Sequence, residues 1–241
     1  MTKSRWINGA LAYYEGGQNQ RLLEVIGDRV HKFVTDFTRL AVDDTTGDPT
    51  EWTVTMVEAG DGDSTMTLQD DAQCGWVKLQ AAGNENDGVN AQMKGEPFKL
   101  SSGDKLYFGA KIKVDEATQS DFIVGLCIGG NTTLLVGMTD GVYFRKVDGS
   151  ASMTFVTEKN STETESTAAT VAAATEYIVE FFCDSTSYVY AYVNGTKVAT
   201  HTANIVDDEA LTVSLAYLNG AAQASKGLHV DWIRCFCIMN N

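Results

Sequence analysis

The sequence predicts an all-β protein of two packed antiparallel sheets, and three observations carry that expectation. Short segments with alternating apolar and polar residues follow one another from Trp52 to the C-terminus, and at least ten can be marked off. Two Asn-Gly pairs, Asn8-Gly9 and Asn194-Gly195, stand between apolar runs, where a two-residue hairpin turn needs φ > 0 at both positions. The length of 241 residues is within the range that sandwiches and barrels occupy as one domain. Such a chain buries about 70–75% of its unfolded surface, so one large core needs no covalent staples. A hydrophobic content of 44% and a charged content of 21% exclude a wholly disordered chain.

Taken in order, "RWINGALAYY" reads as a hairpin turning at Asn8-Gly9. In "QRLLEVIGDRV", Leu22, Leu23, Ile26 and Val30 recur near helical spacing, which predicts a short helix, and "HKFVTDF" predicts an extended stretch. Turn formers and acids fill "LAVDDTTGDPTEW", residues 40–52, the best linker in the chain. Two parts are therefore expected, an N-terminal arm over 1–45 and a β-sandwich over 46–241. Within the sandwich, strands are expected at 52–57, 64–68, 74–80, 105–114, 121–128, 141–147 and 152–158. The Ser/Thr/Ala-rich "STETESTAATVAAAT" separates these from "EYIVEFFC" and from the hairpin "SYVYAYVNGTKVATH". "LTVSLAY" and "LHVDWIRCFCI" close the chain.

The net charge of −14 argues against a nucleic-acid partner, which needs clustered Lys and Arg to release counterions. No apolar run approaches the ~20 residues of a membrane span, and "MTKSRWINGALAYY" lacks the features of a secretory signal, so a soluble protein made in the cytosol is expected. Residues 1–40 carry six basic and four acidic groups, a net of +2, which leaves −16 for the remainder. That asymmetry, with Arg5, Trp6, Tyr13, Tyr14, Arg21 and Arg29 of types enriched in interface hot spots, marks the arm as a candidate attachment surface. The competing reading is that these aromatics cap one end of the core.

Five cysteines are present; Cys74, Cys127 and Cys183 lie in apolar stretches and are expected as reduced core thiols. Cys235 and Cys237 alternate on one strand and with His229 would make an incomplete metal site, so no metal centre is expected. His31, His201 and His229 lie in separate segments without a catalytic context. A structural calcium ion could use the oxygens of "DDTTGD" (43–48), "DGD" (61–63) or "NENDG" (84–88), although Asp and Asn in turns more often serve backbone hydrogen bonds.

The run "EYIVEFFC…SYVYAYVNGTKVAT…LTVSLAY…LHVDWIRCF" resembles the second half of a concanavalin-like jelly roll, as in laminarinase-like β-glucanases and laminin-G-like modules. Gly195 and Val230–Arg234 stand at the matching positions, and the resemblance covers roughly residues 75–237. It implies an antiparallel jelly-roll sandwich in which Val230, Trp232 and Ile233 are core. The β-glucanases carry their two catalytic carboxylates on one strand reading E-x-D-x-E or E-x-D-x-x-E. Here Asp61/Asp63, Glu85/Asp87, Glu163/Glu165 and Asp207/Glu209 are two apart, but none is followed by the third carboxylate, and the strand expected to carry the motif holds only Asp140. No enzyme is expected. Trp76, Tyr143 and Trp232 are the candidates for stacking on a sugar if the sandwich is a glycan-binding module.

A second resemblance spans nearly the whole chain. "RWINGALAYYEGGQNQRLLEVIGDRVHKFVTDF", "DDTTGDPTEWTVTMVEAGDGDSTMTL", "GNENDGVNAQMKGEPFKLSSGDKLYFGAKIKVDEATQSDFIVGLCI" and "DGVYFRKVDGS" are similar in style to tailed-bacteriophage capsid decoration proteins, also called cement or head-fibre proteins. The resemblance implies a non-enzymatic virion protein on the capsid exterior, held to the major capsid protein by its N-terminal arm. It also implies a closed homo-oligomer, a trimer, with no nucleic-acid or membrane partner and host-surface glycans as an alternative target.

Overall fold

The computed structural model describes residues 1–16, 18–60, 62–69, 75–130 and 133–240, and for 18–20 the backbone alone. Among these residues the chain forms nineteen strands and one short helix. The first four strands are β1 (Thr2–Ile7), β2 (Ala10–Glu15), β3 (Gln18–Ile26) and β4 (Val30–Thr35). There follow β5 (Trp52–Val57), β6 (Thr65–Leu68), β7 (Val77–Gln80), β8 (Gly88–Met93), β9 (Phe98–Lys99), β10 (Lys105–Val114) and β11 (Ser120–Ile128). After α1 (Leu134–Gly137) come β12 (Gly141–Lys146), β13 (Ser152–Lys159), β14 (Thr162–Thr170) and β15 (Tyr177–Asp184). The chain ends with β16 (Tyr188–Val193), β17 (Thr196–His201), β18 (Ala210–Asn219) and β19 (Gly227–Ile238).

Three antiparallel sheets result. Sheet I is β1-β2-β3; sheet II runs β17-β16-β15-β10-β19-β7-β6, with β4 also on β19; sheet III runs β14-β13-β12-β11-β18-β8-β5, with β9 also on β18. Sheets II and III face each other across the main core. Alternation decides which side chains enter it: on β10, Leu106, Phe108, Ala110, Ile112 and Val114 point inward, and Phe108 stacks on Phe181 at 5.1 Å. The two-sheet antiparallel sandwich expected from the sequence is the architecture observed. Gly88 opens β8 because a Cβ there would lie 1.9 Å from the Tyr217 carbonyl oxygen on β18.

Sheet I lies on the outer face of sheet II. Ala10, Ala12, Leu22 and Val25 cover Tyr107, Phe236 and Ile238, forming a second, smaller core. Asn8 and Gly9 turn the first hairpin at φ of 46° and 80°, and Asn194 and Gly195 turn the other at 50° and 77°, as their sequence requires.

The helix expected at Gln20–Val30 is instead strand β3. Its register against β2 slips beside Leu23, so Leu22 pairs with Tyr14 and Glu24 with Tyr13. The extra residue puts Leu22 and Val25, three apart, on one face, a spacing that imitates helical periodicity. A second bulge, at Asp231 on β19, changes which residues face the core: Val230 and Ile233 point inward, and Trp232 turns outward. "STETESTAAT" is also a strand, β14, joined to β13 by Asn160-Ser161 with both φ values positive. The extended stretch at "HKFVTDF" is β4, hydrogen-bonded to β19.

Candidate functional site

The outer face of sheet III carries a helix, a buried carboxylate and a groove. On this face α1 seats Leu134 against Ile123, Cys127, Tyr143, Val156 and Ala216. Under this cover, Tyr143 donates its hydroxyl hydrogen to Glu158 Oε2 at 2.6 Å. Burial raises the Glu158 pKa, with the Tyr143 hydrogen bond opposing and the nearby Glu163 carboxylate adding to the rise. Burial likewise pushes the Tyr143 phenol upward.

Register sets Glu158 directly opposite Glu163, a pair of carboxylates on adjacent strands that spacing along one strand does not reveal. Glu158 is closed to a substrate, whereas Glu163 is exposed and paired. Glu158 is 3% exposed, and Glu163 is held by Arg145 through two bonds of 2.6 and 2.7 Å, with Glu165 a further 2.7 Å partner of the same guanidinium. A retaining glycosidase needs two carboxylates about 5–5.5 Å apart facing the scissile bond. Here Glu158 is buried against Tyr143 and Glu163 is paired with Arg145.

Toward β5 the same face opens into a groove of about 390 Å³, at the lower end of ligand-pocket volumes. Thr53, Gln92 and Thr212 form its floor, and the chain at Met93–Glu96 and Gly129–Gly130 forms its walls. The Gln92 amide donates to the Ile128 carbonyl at 2.9 Å and to Ser214 Oγ at 3.0 Å, while Thr212 donates to the Met93 carbonyl at 2.7 Å. Glu96 Oε1 accepts the Gly129 N–H at 2.6 Å, an approach that a Cβ on Gly129 would displace by moving the exposed Glu96 side chain. The polar groups of the lining are therefore held by bonds within the chain, and more of the groove surface is apolar than polar, with Lys94 exposed on the wall.

The aromatic residues singled out in the sequence are divided between two surfaces. Tyr143 is wholly buried against Leu134 on sheet III, so its ring cannot stack on a sugar. Trp76 lies on the opposite side of the molecule and is 6% exposed, with Lys113 and Lys111 over its ring at 4.4 and 5.1 Å and His229 edge-on. Trp232 shares that outer face of sheet II, half-buried, with Arg234 at 4.4 Å from its centroid. Beside them Asp115 bonds to His229 and is ion-paired to Lys78. Burial works against its charge, but those two partners hold its carboxyl down to about 2.

The arm residues are also divided. Arg21 is 8% exposed and tied to Glu180 within the chain, so it holds sheet I to sheet II rather than facing outward. Arg5 sits 5.3 Å over Tyr14, and Tyr13 is half-buried like Tyr14. Trp6 is 72% exposed and Arg29 is exposed, its carbonyl bonded to the Met239 N–H. By register Trp6 pairs with Leu11 and Leu11 with Ile26, making an apolar row across the outer face of sheet I.

The proposed metal ligands have other partners. Asp43 accepts the N–H groups of Thr45 and Thr46, and Asp87 accepts those of Ala59, Gly83 and Asn84. Both are turn-fixing carboxylates, and the donors hold Asp87 below its ordinary pKa against the cost of burial. Asp61 of "DGD" lies outside the described residues, as does Cys74. Cys127, Cys183, Cys235 and Cys237 are buried free thiols. His229 faces away from Cys235 and Cys237 because the Asp231 bulge separates their faces, and among the described residues no three metal-ligating side chains converge. His201 is buried between Thr157 Oγ1 and Ser166 Oγ, each at 3.0 Å.

A family model described as "SO2946-like, C-terminal domain" matches residues 72–231. The chain belongs to the SO2946-like C-terminal domain family. A solved member, the protein of unknown function SO2946 from Shewanella oneidensis MR-1, is 14% identical, with a TM-score of 0.58 and 86% of each chain covered. The SO2946-like sandwich is also similar to an endo-1,3-beta-glucanase from Streptomyces sioyaensis: 14% identity, TM-score 0.61, with 88% of this chain and 98% of that one covered. The carbohydrate recognition domain of Emp47p is 10% identical with a TM-score of 0.57, covering 84% of this chain and 95% of its own. No curated protein matches. At these identities the likeness establishes the sandwich fold of the SO2946-like domain and leaves its activity open.

Proposed function

We propose that this SO2946-like domain is a non-catalytic carbohydrate-binding module that takes a short glycan in the sheet III groove. The observation that carries the reading is the groove itself, a preformed recess of about 390 Å³ whose lining includes Thr53, Gln92, Glu96 and Thr212, beside the face that Leu134 covers. Its hydroxyl and amide lining suits sugar hydroxyls, and the Emp47p carbohydrate recognition domain is built on a similar sandwich. Without an aromatic platform the affinity is expected to be weak, with Kd about 1 mM. Thr53 is exposed on edge strand β5, so Thr53→Trp fills the groove without disturbing the core. A glycan found by array or ligand-observed NMR should lose at least tenfold in affinity with Thr53→Trp; silence across the panel, or binding that Thr53→Trp leaves intact, rejects the groove.

A second reading is favoured by the exposed Trp6–Leu11–Ile26 row. On it, sheet I fastens the sandwich to a protein shell, and the resemblance implies the exterior of a tailed-bacteriophage capsid, with the major capsid protein as partner. Deleting residues 2–40 would also remove β4 from sheet II, so the cleaner variant is Trp6→Ser. That variant should keep the wild-type melting temperature and no longer co-sediment with assembled shells; undiminished co-sedimentation counts against this reading.

A further inference from the structure

Strand β4 is bonded on one side only. β19 occupies one edge, and among the described residues no strand occupies the other. The bond from the Met239 N–H to the Arg29 carbonyl, 3.0 Å, fixes the phase of this ladder. In an antiparallel pair alternate residues turn both backbone groups toward the same neighbour, so Arg29, His31, Phe33 and Thr35 face β19. Val30, Lys32 and Val34 therefore direct their N–H and C=O groups to the open edge. Along the strand His31, Lys32, Val34 and Asp36 are exposed, while Val30, Phe33 and Thr35 are half-buried. An open space of about 980 Å³ runs along this edge between Glu24 on one wall and Arg39 and Glu51 on the other, room for a further strand.

The edge reads Lys32-Phe33-Val34-Thr35-Asp36, and in antiparallel orientation it is complementary to itself. Centred on Val34, it sets Lys32 against Asp36 of a second copy, Val34 against Val34, and Asp36 against Lys32. We propose that β4 pairs with β4 of a second copy about a two-fold axis through Val34, joining the two eight-stranded sheets edge to edge. A lysine on an open edge ordinarily deters strand addition. Here it selects the register: centring on Lys32 sets lysine against lysine, and centring on Asp36 sets aspartate against aspartate, while the Val34-centred register alone joins both opposite-charge pairs. The contact is isologous and closes at two chains. Its few residues per copy put it among small, reversible interfaces, so the dimer is concentration-dependent.

Sedimentation equilibrium of the full chain over a dilution series tests this directly. The mass should approach two chains at the concentrated end. The Val34 N–H points away from β19, so Val34→Pro removes only an edge donor; it should weaken the dimer at least tenfold and leave the circular dichroism spectrum unchanged. Lys32→Asp and Asp36→Lys should each weaken it to a similar degree, and the double variant should return it to within a few-fold of wild type. A monomer at every concentration overturns the proposal, as does a trimer. So does a dimer indifferent to Val34→Pro, or a charge swap that restores nothing, and the swap decides the matter even if the proline variant misfolds.

Discussion

Arg21→Met should destabilise the protein by about 3–5 kcal/mol, the cost of leaving a buried carboxylate without its cation. The Arg21 guanidinium donates to Glu180 Oε1 and Oε2, each at 2.8 Å, and to Glu15 at 2.9 Å, and Tyr107 adds a 2.8 Å hydroxyl bond to the same Glu180. Glu180 is 2% exposed, so after the substitution it keeps Tyr107 as its one partner among these three groups, with little access to water. The hydrogen bond and charge of Glu180 hold the Arg21 pKa above its ordinary value despite burial. The loss concentrates at the junction of sheets I and II, since the sandwich core shares no residue with this pair. Urea unfolding should show the lower midpoint, and limited proteolysis should cut within residues 1–29 before the sandwich. Adding Glu180→Gln to Arg21→Met should recover at least half of the loss, because a neutral amide costs far less to bury than a carboxylate. A single variant within 1 kcal/mol of wild type would mean that Glu180 reaches solvent.

The sandwich was legible wherever local chemistry and tertiary role agree. Asn8-Gly9 and Asn194-Gly195 demand their turns by themselves, and the alternation in "KLYFGAKIKV" survives into β10 without change. It failed where a bulge broke the period of two: Leu22 and Val25 imitated a helix, and Trp232 was assigned to the core when the Asp231 bulge turns it outward. β14 was missed because "TETESTAAT" has little apolar alternation and because its turn uses Asn160-Ser161, a weaker signal than Asn-Gly. The candidate groove could not be read at all, since Thr53, Gln92, Gly129 and Thr212 meet only through the order of β5, β8, β18 and β11 in sheet III. The Glu158/Glu163 pair depends in the same way on the β13–β14 register. Of the residues chosen by hot-spot type, Trp6 is exposed and Arg21 is buried against Glu180. Composition does not distinguish an arginine that meets a partner from one that meets the chain's own buried glutamate.

The second large effect belongs to Lys146, and its sign changes what pH does to stability. The side chain is fully buried, and its ammonium donates to the Thr118 carbonyl at 2.7 Å, to the Ser120 carbonyl, and to Ser120 Oγ at 3.1 Å, tying β12 to the turn before β11. Burial pushes its pKa down to about 8 from the ordinary 10.5, while Asp121, Asp148 and Glu116 pull the other way. The unfolded chain therefore binds more protons than the folded one between pH 8 and 10.5, and stability must rise with pH across that window. At about 1.4 kcal/mol per pH unit the rise amounts to about 3 kcal/mol. Lys146→Met removes both the rise and the donors. Near pH 7 two terms oppose: the variant no longer buries a charge, but it takes the donor from the buried Ser120 carbonyl at about 1–3 kcal/mol, while the Thr118 carbonyl keeps the Gly149 N–H at 3.1 Å. At pH 10 the folded lysine is neutral and still donates, so the first term vanishes and the loss of the donors stands alone. Wild type should therefore exceed Lys146→Met by about 2.5 kcal/mol more at pH 10 than at pH 7, measured as urea midpoints on the two proteins in parallel. Groups that titrate alike in both cancel in this difference, so stability curves that stay parallel through pH 8–10.5 would show that the folded protein holds the Lys146 proton as firmly as water does, with its carbonyl ligands offsetting the whole cost of burial.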